Sequence, residues 1–229
     1  MITTFVLSYK RQRNLGQIID SIKANKHVSE IVIFNNDPDI KVEIERVTVI
    51  NGGKNWKCWV KFIFPQLIQT KWVVILDDDI MLQRNTVEWF LENAKGDEEG
   101  IYGFFGMNLN ENEDKPYSKG ERVNTFNIGE LTKVDILLGR VIFCKTSKLA
   151  AASYFRSKIP DYQNKECLFS GNEDIVLAMA NTKEGYSNYV MASPKDMGCT
   201  NLPEGESALS KRETHFESRD AAVREMLKG

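Results

Sequence analysis

The sequence predicts an α/β fold with a mostly parallel, doubly wound central sheet and helices on both faces. Three observations carry this prediction. Apolar residues switch repeatedly between strand-like and helix-like spacing through the first half of the chain. The run Trp72–Leu76 (WVVIL) is continuously apolar, as in strands buried on both faces of a parallel sheet. The chain has 229 residues, 42% of them hydrophobic. At that size roughly 70% of the unfolded surface can be buried, which is enough for one large core.

The elements follow in order. Ile2–Ser8 is rich in β-branched and aromatic residues and reads as the first strand. Leu15, Ile18, Ile19 and Ile22 then fall at helical spacing, and Lys23–Lys26 give that helix a basic end. Glu30–Phe34 is a second strand, closed by Asn35-Asn36-Asp37-Pro38, which is turn chemistry. Arg46–Ile50 is a third strand. Trp56, Trp59, Val60, Ile63 and Leu67 predict a helix over Asn55–Ile68. Trp72–Leu76 is the fourth strand, with Asp77-Asp78-Asp79 directly behind it. Asn85, with Glu88 three residues on, predicts the capped start of a helix that runs to Ala94. This alternation implies right-handed crossovers, and ligands of such sheets bind outside the carboxyl ends of the strands.

The second half is less regular. Strands are predicted at Ile101–Phe105, Val134–Leu138 and Arg140–Cys144, and helices at Lys148–Phe155, Asn172–Asn181 and Ser218–Leu227. Met107–Glu130 shows no apolar periodicity and is longer than an ordinary connection, so it reads as a functional or irregular segment. Ser193–Leu209 is rich in Pro, Gly and Ser and reads as a loop. No repeat or linker divides the chain, which predicts one domain over 1–229.

Composition excludes several classes. With 30 Lys+Arg against 32 Asp+Glu, the chain lacks the basic footprint of a nucleic-acid binder. No apolar run approaches the roughly 18–20 residues needed to span a bilayer. Met1–Leu7 has no charged segment ahead of it and is not a signal peptide. Cys58, Cys144, Cys167 and Cys199 are scattered without a CxxC pair, so they read as reduced thiols in a soluble, cytoplasmic setting.

Asp77-Asp78-Asp79 is the strongest chemical signal. Carboxylates crowded at the end of a buried strand repel one another unless a cation joins them. A hard divalent ion such as Mn²⁺ or Mg²⁺ answers that need and leaves positions open for phosphate oxygens. Along extended backbone Asp77 and Asp79 share a side, with Asp78 opposite. The structural alternative is an acidic turn. The loop Ser8-Tyr9-Lys10-Arg11-Gln12-Arg13-Asn14 places three cations before a helix, where negative charge is normally favoured. Cations and free amides there suit an anion, and Tyr9 offers a face for a base; a solvated basic loop is the plainer reading. Glu173-Asp174, taken alone, reads as first-turn acid favourable to the helix dipole. His215, taken alone, reads as a surface histidine.

Absent motifs narrow the field. No GxGxxG follows the first strand, and Asn51-Gly52-Gly53-Lys54 lacks P-loop spacing. An aspartyl-nucleophile phosphatase places its acids after the first strand, and a sugar-phosphate nucleotidyltransferase opens with a Gly-rich loop; neither pattern is present.

In order along the chain, FVLSYKRQRNL, EIVIFNND, NW, VVILDDDI, GFFG, VDILLG, GNEDIVLAM and HFESR resemble the GT-A glycosyltransferases, and in particular the exostosin-like domain of glycosyltransferase family 64. The likeness spans nearly the whole chain. It implies a GT-A fold whose nucleotide-sugar-binding half is 1–106 and whose acceptor-binding half is 107–229. It also implies transfer from a UDP-sugar to a glycan acceptor, of the hexosyl or N-acetylhexosaminyl type, with Mn²⁺ or Mg²⁺ on the diphosphate. By resemblance Tyr9, Arg11, Asn35 and Asn36 hold uridine, Ser8 and Arg13 belong to the same nucleotide-sugar site, and Asn55 lies near it. Asp77 and Asp78 face sugar or ribose. Asp79 is the principal metal ligand, with Asp77 and His215 as further candidates. Gly139 admits the acceptor closely. Asp174 stands beside the anomeric carbon next to Glu173, while Arg219 and His215 close on the diphosphate.

The family retains anomeric configuration, whereas an inverting relative uses an acid at the same helix start as a base; the residues leave both open. Animal members carry a membrane anchor that is not seen here, and Met107–Glu130 matches no known acceptor region, so the expected setting is a soluble microbial or viral enzyme. Two rivals stand beside the transferase. One is a nucleotide-sugar hydrolase or nucleotidyltransferase on a similar sheet; the other is a catalytically silent nucleotide- or glycan-binding domain.

Overall fold

The computed structural model describes residues 1–150, 171–194, 197–203 and 213–228. Its strands are β1 (Ile2–Ser8), β2 (Val28–Asn35), β3 (Thr48–Asn51), β4 (Trp72–Asp77), β5 (Ile80–Leu82), β6 (Ile101–Gly103), β7 (Phe105–Asn108), β8 (Glu121–Asn124), β9 (Thr132–Val134), β10 (Ile136–Leu137), β11 (Val141–Lys145), β12 (Asn188–Val190) and β13 (Cys199–Asn201). The helices are α1 (Leu15–Lys23), α2 (Val60–Ile63), α3 (Thr86–Ala94), α4 (Glu173–Lys183) and α5 (His215–Leu227). Eight strands form the central sheet, in the order β3-β2-β1-β4-β11-β6-β12-β9. The pairs β3-β2, β2-β1, β1-β4 and β6-β12 are parallel. Strand β11 runs against both β4 and β6, and β9 against β12. The mostly parallel α/β sheet predicted from the sequence is therefore present.

Period-two alternation in the central strands divides the core between the two faces. Phe5, Leu7, Val73 and Ile75 pack on one face with Phe62 of α2 and Ile175 of α4. Val6, Val74 and Leu76 pack on the other with Ile18 and Ile22 of α1 and Val87 and Phe90 of α3. On that second face Phe143 of β11 stacks on both Trp72 and Phe90, at 4.9 and 4.8 Å between centroids. This stack fastens the antiparallel strand to the parallel half. Among the described residues no helix is long and apolar enough to cross a membrane.

Several expectations are corrected. The Asn55–Ile68 segment becomes helical only at Val60, continuing as a 3-10 turn over Phe64–Leu67. Side-chain oxygens take the first amides instead: Asn36 accepts from Trp56 N–H at 2.7 Å, and Asn55 accepts from Lys57 N–H at 2.9 Å. Short polar side chains compete with helix formation in this way. Trp56 is accordingly exposed rather than in the core. Asn85 does stand before α3, but in a left-handed conformation and without a side-chain cap. The Val87 N–H is instead capped by Asn25 Oδ1, 3.0 Å away beyond the end of α1. No helix joins β2 to β3; residues 36–47 cross irregularly.

Met107–Glu130 is not irregular throughout. Its ends form the β7–β8 hairpin, which with β10 makes a separate three-stranded sheet. The predicted strand Val134–Leu138 is split at Asp135, so that β9 joins the main sheet and β10 the hairpin. Within the predicted loop Ser193–Leu209, β13 pairs with β5. The closing helix starts at His215, three residues ahead of Ser218. Of the predicted helix Lys148–Phe155, only 148–150 are among the described residues, and Cys167 lies outside them. Cys58, Cys144 and Cys199 are free thiols.

Candidate active site

Strand register brings the first three loops together. Ser8 at the end of β1 is level with Asn35 of β2, and Leu7 with Asp77 of β4. A cleft of about 540 Å³ opens beyond these carboxyl ends. Tyr9, Arg11, Asn36 and Asn55 line one end of it, and the three aspartates line the floor. Gly139, Glu173, Asp174, His215 and Arg219 line the opposite wall. Tyr117, Arg122 and Phe126, from the hairpin and its flanking turns, extend that wall outward.

Strict alternation does not survive across the acidic triplet, because β4 ends at Asp77 and Asp78-Asp79 turn. Arg11 Nη1 therefore reaches both Asp78 Oδ1 at 2.6 Å and Asp79 Oδ2 at 3.0 Å. Asp78 also accepts from Tyr9 N–H at 2.7 Å. Burial pushes the Asp78 carboxyl up to about 6, against the pull of Arg11. Asp79 has a looser second cation, Arg140 Nη2 at 3.5 Å. Asp77 turns the other way and pairs with the buried ammonium of Lys61. Burial raises the Asp77 carboxyl, and Lys61 opposes the rise.

The opposite wall is organised around Asp174, at the start of α4. Its Oδ2 accepts from Gly139 N–H at 3.1 Å and from Arg219 Nη2 at 2.9 Å, and its Oδ1 accepts from Ile175 N–H at 2.9 Å. Although burial pushes this carboxyl up, Arg219 and the Gly139 amide outweigh it and hold Asp174 below its ordinary value. Its neighbour behaves oppositely: burial drives Glu173 up to about 7, with Lys61 opposing. Glu173 Oε2 is buried and has no hydrogen-bond partner. Two adjacent carboxyls are thus shifted in opposite directions. A Cβ at Gly139 would lie 3.2 Å from Asp174 Cβ, so the close approach this glycine permits is that of α4.

Some expected site residues do not line the cleft. Asn35 is fully buried, and its amide donates to Asn51 Oδ1 at 2.9 Å, tying down the loop after β2. Ser8 is fully buried beneath the loop, and Arg13 is exposed away from the cleft. Lys61, Arg140, Tyr117, Arg122 and Phe126 were not singled out from the sequence. The one available signal was a lysine inside the apolar run WVKFIF.

Among the described residues no three His, Cys, Asp or Glu side chains are grouped to cage an ion. His215 lines the same cleft as Asp77 and Asp79. One or two carboxylates with open positions still suit a hard cation that takes its remaining ligands from phosphate. Arg11 and Arg219 both line the cleft, and their buried Nε atoms have no hydrogen-bond partner.

Comparisons with known proteins agree with this geometry. Among curated proteins no sequence matches. A crystal structure of GalNAc-T7 with UDP, GalNAc and Mn²⁺ superposes with a TM-score of 0.69 at 9% identity. The match covers 99% of this chain and 48% of that one, so the chain spans about half the length of the solved relative. The shared architecture is the GT-A glycosyltransferase fold. Residues 1–228 match the glycosyl transferase family 64 domain, and the chain accordingly belongs to glycosyltransferase family 64.

Proposed function

We propose that the protein transfers a sugar from a UDP-sugar to a glycan acceptor with retention at the anomeric carbon, assisted by Mn²⁺ or Mg²⁺. The observation that carries this reading is the acidic triplet on the floor of a cleft at the strand ends, faced by an ionised Asp174. Tyr9, Asn36 and Asn55 border the nucleotide end. Asp79, with Asp77 beside it, holds the divalent ion, which when bound neutralises charge developing on the departing diphosphate. Arg11 and Arg219 supply further donors to those oxygens.

In the transfer the bond from C1 to the β-phosphate oxygen breaks, and its electron pair leaves with UDP. A new bond forms from C1 to the acceptor oxygen on the same face. The acceptor proton passes to the departing phosphate oxygen. Asp174 stabilises the positive charge at C1 without taking that proton, because its oxygens are already held by Gly139, Ile175 and Arg219. Glu173 lines the cleft beside Asp174, on the side assigned to the sugar. The hairpin side, with Phe126 73% exposed at the rim, offers an apolar face for the acceptor.

The reading is tested by thermal-shift titration with nucleotides and nucleotide sugars, each with and without Mn²⁺. A Mn²⁺-dependent rise with UDP or a UDP-sugar supports it, since a ligand that binds the native state raises apparent stability. A rise with another base keeps the chemistry and changes the donor. No rise with any nucleotide favours a silent domain, and steady release of UMP or sugar-1-phosphate favours the hydrolase or nucleotidyltransferase rival. Product stereochemistry is read by NMR; inversion would give the proton-accepting role to Glu173.

A further inference from the structure

We propose that Lys61 is a positioning residue for the sugar-transfer end of the cleft, fixing Asp77, Gly139 and Glu173 relative to one another. The inference rests on the donor-site reading above. Lys61 lies in the single-turn helix α2 and is 4% exposed. Its ammonium pairs with Asp77 at the end of β4, donates to Gly139 O at 3.2 Å, and stands 3.7 Å from Glu173 Oε1 at the start of α4. Three donors thus face three acceptors on three separate elements.

Gly139 is held through the two peptide units that flank its Cα. Lys61 holds its carbonyl, while Asp174 accepts from its N–H at 3.1 Å. Through that one residue, Lys61 links the acidic end of β4 to the carboxylate of the opposite wall. A lysine buried this deeply is costly to desolvate, and an ion pair in such a place is often replaceable by apolar groups when stability alone is at issue. Here the partners themselves line the cleft, so the cation is retained where it sets their spacing. Tyr9, Arg11 and Asn36, which border the nucleotide end, do not depend on it.

Two variants test this, each measured for melting temperature, for UDP and UDP-sugar affinity in Mn²⁺, and for UDP release from the UDP-sugar the wild type prefers. Lys61→Met keeps the apolar stem and removes the charge; Lys61→Arg keeps the charge and changes the reach and shape of the donors. Both are expected to bind UDP within about threefold of wild type, to lose the additional affinity for UDP-sugar with a matching rise in its KM, and to drop kcat by about 100-fold or more. If Lys61→Met does not fold, Lys61→Arg carries the test.

Wild-type kcat in a folded Lys61→Arg variant means the lysine merely balances charge, and overturns the inference. A loss of UDP affinity as large as the loss of kcat places Lys61 at the nucleotide end and overturns it too. A wild type that binds neither UDP nor any UDP-sugar overturns the donor-site reading itself, and the inference with it.

Discussion

At the nucleotide end of the cleft, β1, β2 and β4 bring functional groups together through strand register; on the opposite wall, no ladder does so. Leu7 is level with Asp77 because the parallel pairing continues to the end of both strands, and the loops that follow carry Tyr9, Arg11 and Asp78 into contact. Across the cleft, Arg219 pairs with Asp174 over 45 residues, and the Asp220 carboxylate accepts from the Tyr117 backbone N–H over 103, with no strand pairing between them. The first wall inherits the rigidity of the sheet. The second depends on a few buried polar contacts, and single substitutions there act on catalysis and stability in distinguishable ways.

The largest effect is expected at Asp174. Asp174→Asn keeps the shape but removes the negative charge beside the anomeric carbon, and about 10²–10³ in kcat is lost when one such electrostatic group is removed. UDP affinity is expected to change far less, because Tyr9, Arg11 and Asn36 hold the nucleotide end and Arg219 keeps its charge. Steady-state kinetics together with calorimetry separates the two, and an equal loss in both would erase the proposed division of labour between the walls.

Asp220 comes next, because it fastens the hairpin to α5. Its Oδ1 accepts from Tyr117 and Ser118 N–H at 2.8 and 2.9 Å, and its Oδ2 takes the Ser118 hydroxyl. One residue earlier, Arg219 lies over the Tyr117 ring at 4.4 Å, so α5 grips the hairpin and Asp174 together. Asp220→Ala strands these donors and is expected to cost about 3 kcal/mol. That is roughly 6–12 °C in Tm for a chain of this length. Transfer should fall more than UDP binding does. A drop confined to Tm would show the hairpin to be a passive wall.

The same contrast explains what could be read from sequence. Asp77-Asp78-Asp79 was legible because a continuous apolar strand fixes where it emerges, and the neighbouring strands are equally plain. Lys61 was not, since a lone lysine on an amphipathic helix ordinarily extends to solvent; its partners come from 16 to 112 residues downstream in sequence. The hairpin was missed because FGMN and ERVN contain few β-branched residues and their pairing spans a polar turn. Helix over Asn55–Ile68 was overcalled because periodicity does not report that Asn36 and Asn55 capture the first amides. Glu173-Asp174 looked like ordinary first-turn acid. Their roles emerge from Arg219 and Lys61, which periodicity could not place.

The smallest and sharpest test lies between those two adjacent acids. Glu173 titrates near 7 in the folded chain against 4.5 ordinarily, because burial disfavours its anion. In the unfolded chain it loses its proton near 4.5, so between about pH 4.5 and 7 the native state binds more protons and stability falls as pH rises. That shift amounts to on the order of 3 kcal/mol by pH 8. Glu173→Gln, a neutral mimic, is expected to match wild type near pH 4 and to become relatively more stable as pH rises. Asp174 is depressed, so its contribution is present above the ordinary carboxylate range and lost on acidification. Asp174→Asn should therefore show the opposite slope, relatively worse as pH rises through that range. Melting temperatures of the two variants and the wild type decide the matter, read above the ordinary Glu value of 4.5 for Glu173 and below the ordinary Asp value of 3.8 for Asp174. Parallel curves would mean that both acids share one environment, and the separate roles assigned to them, a depressed Asp174 at C1 and a raised Glu173 on the sugar side, would have no physical basis.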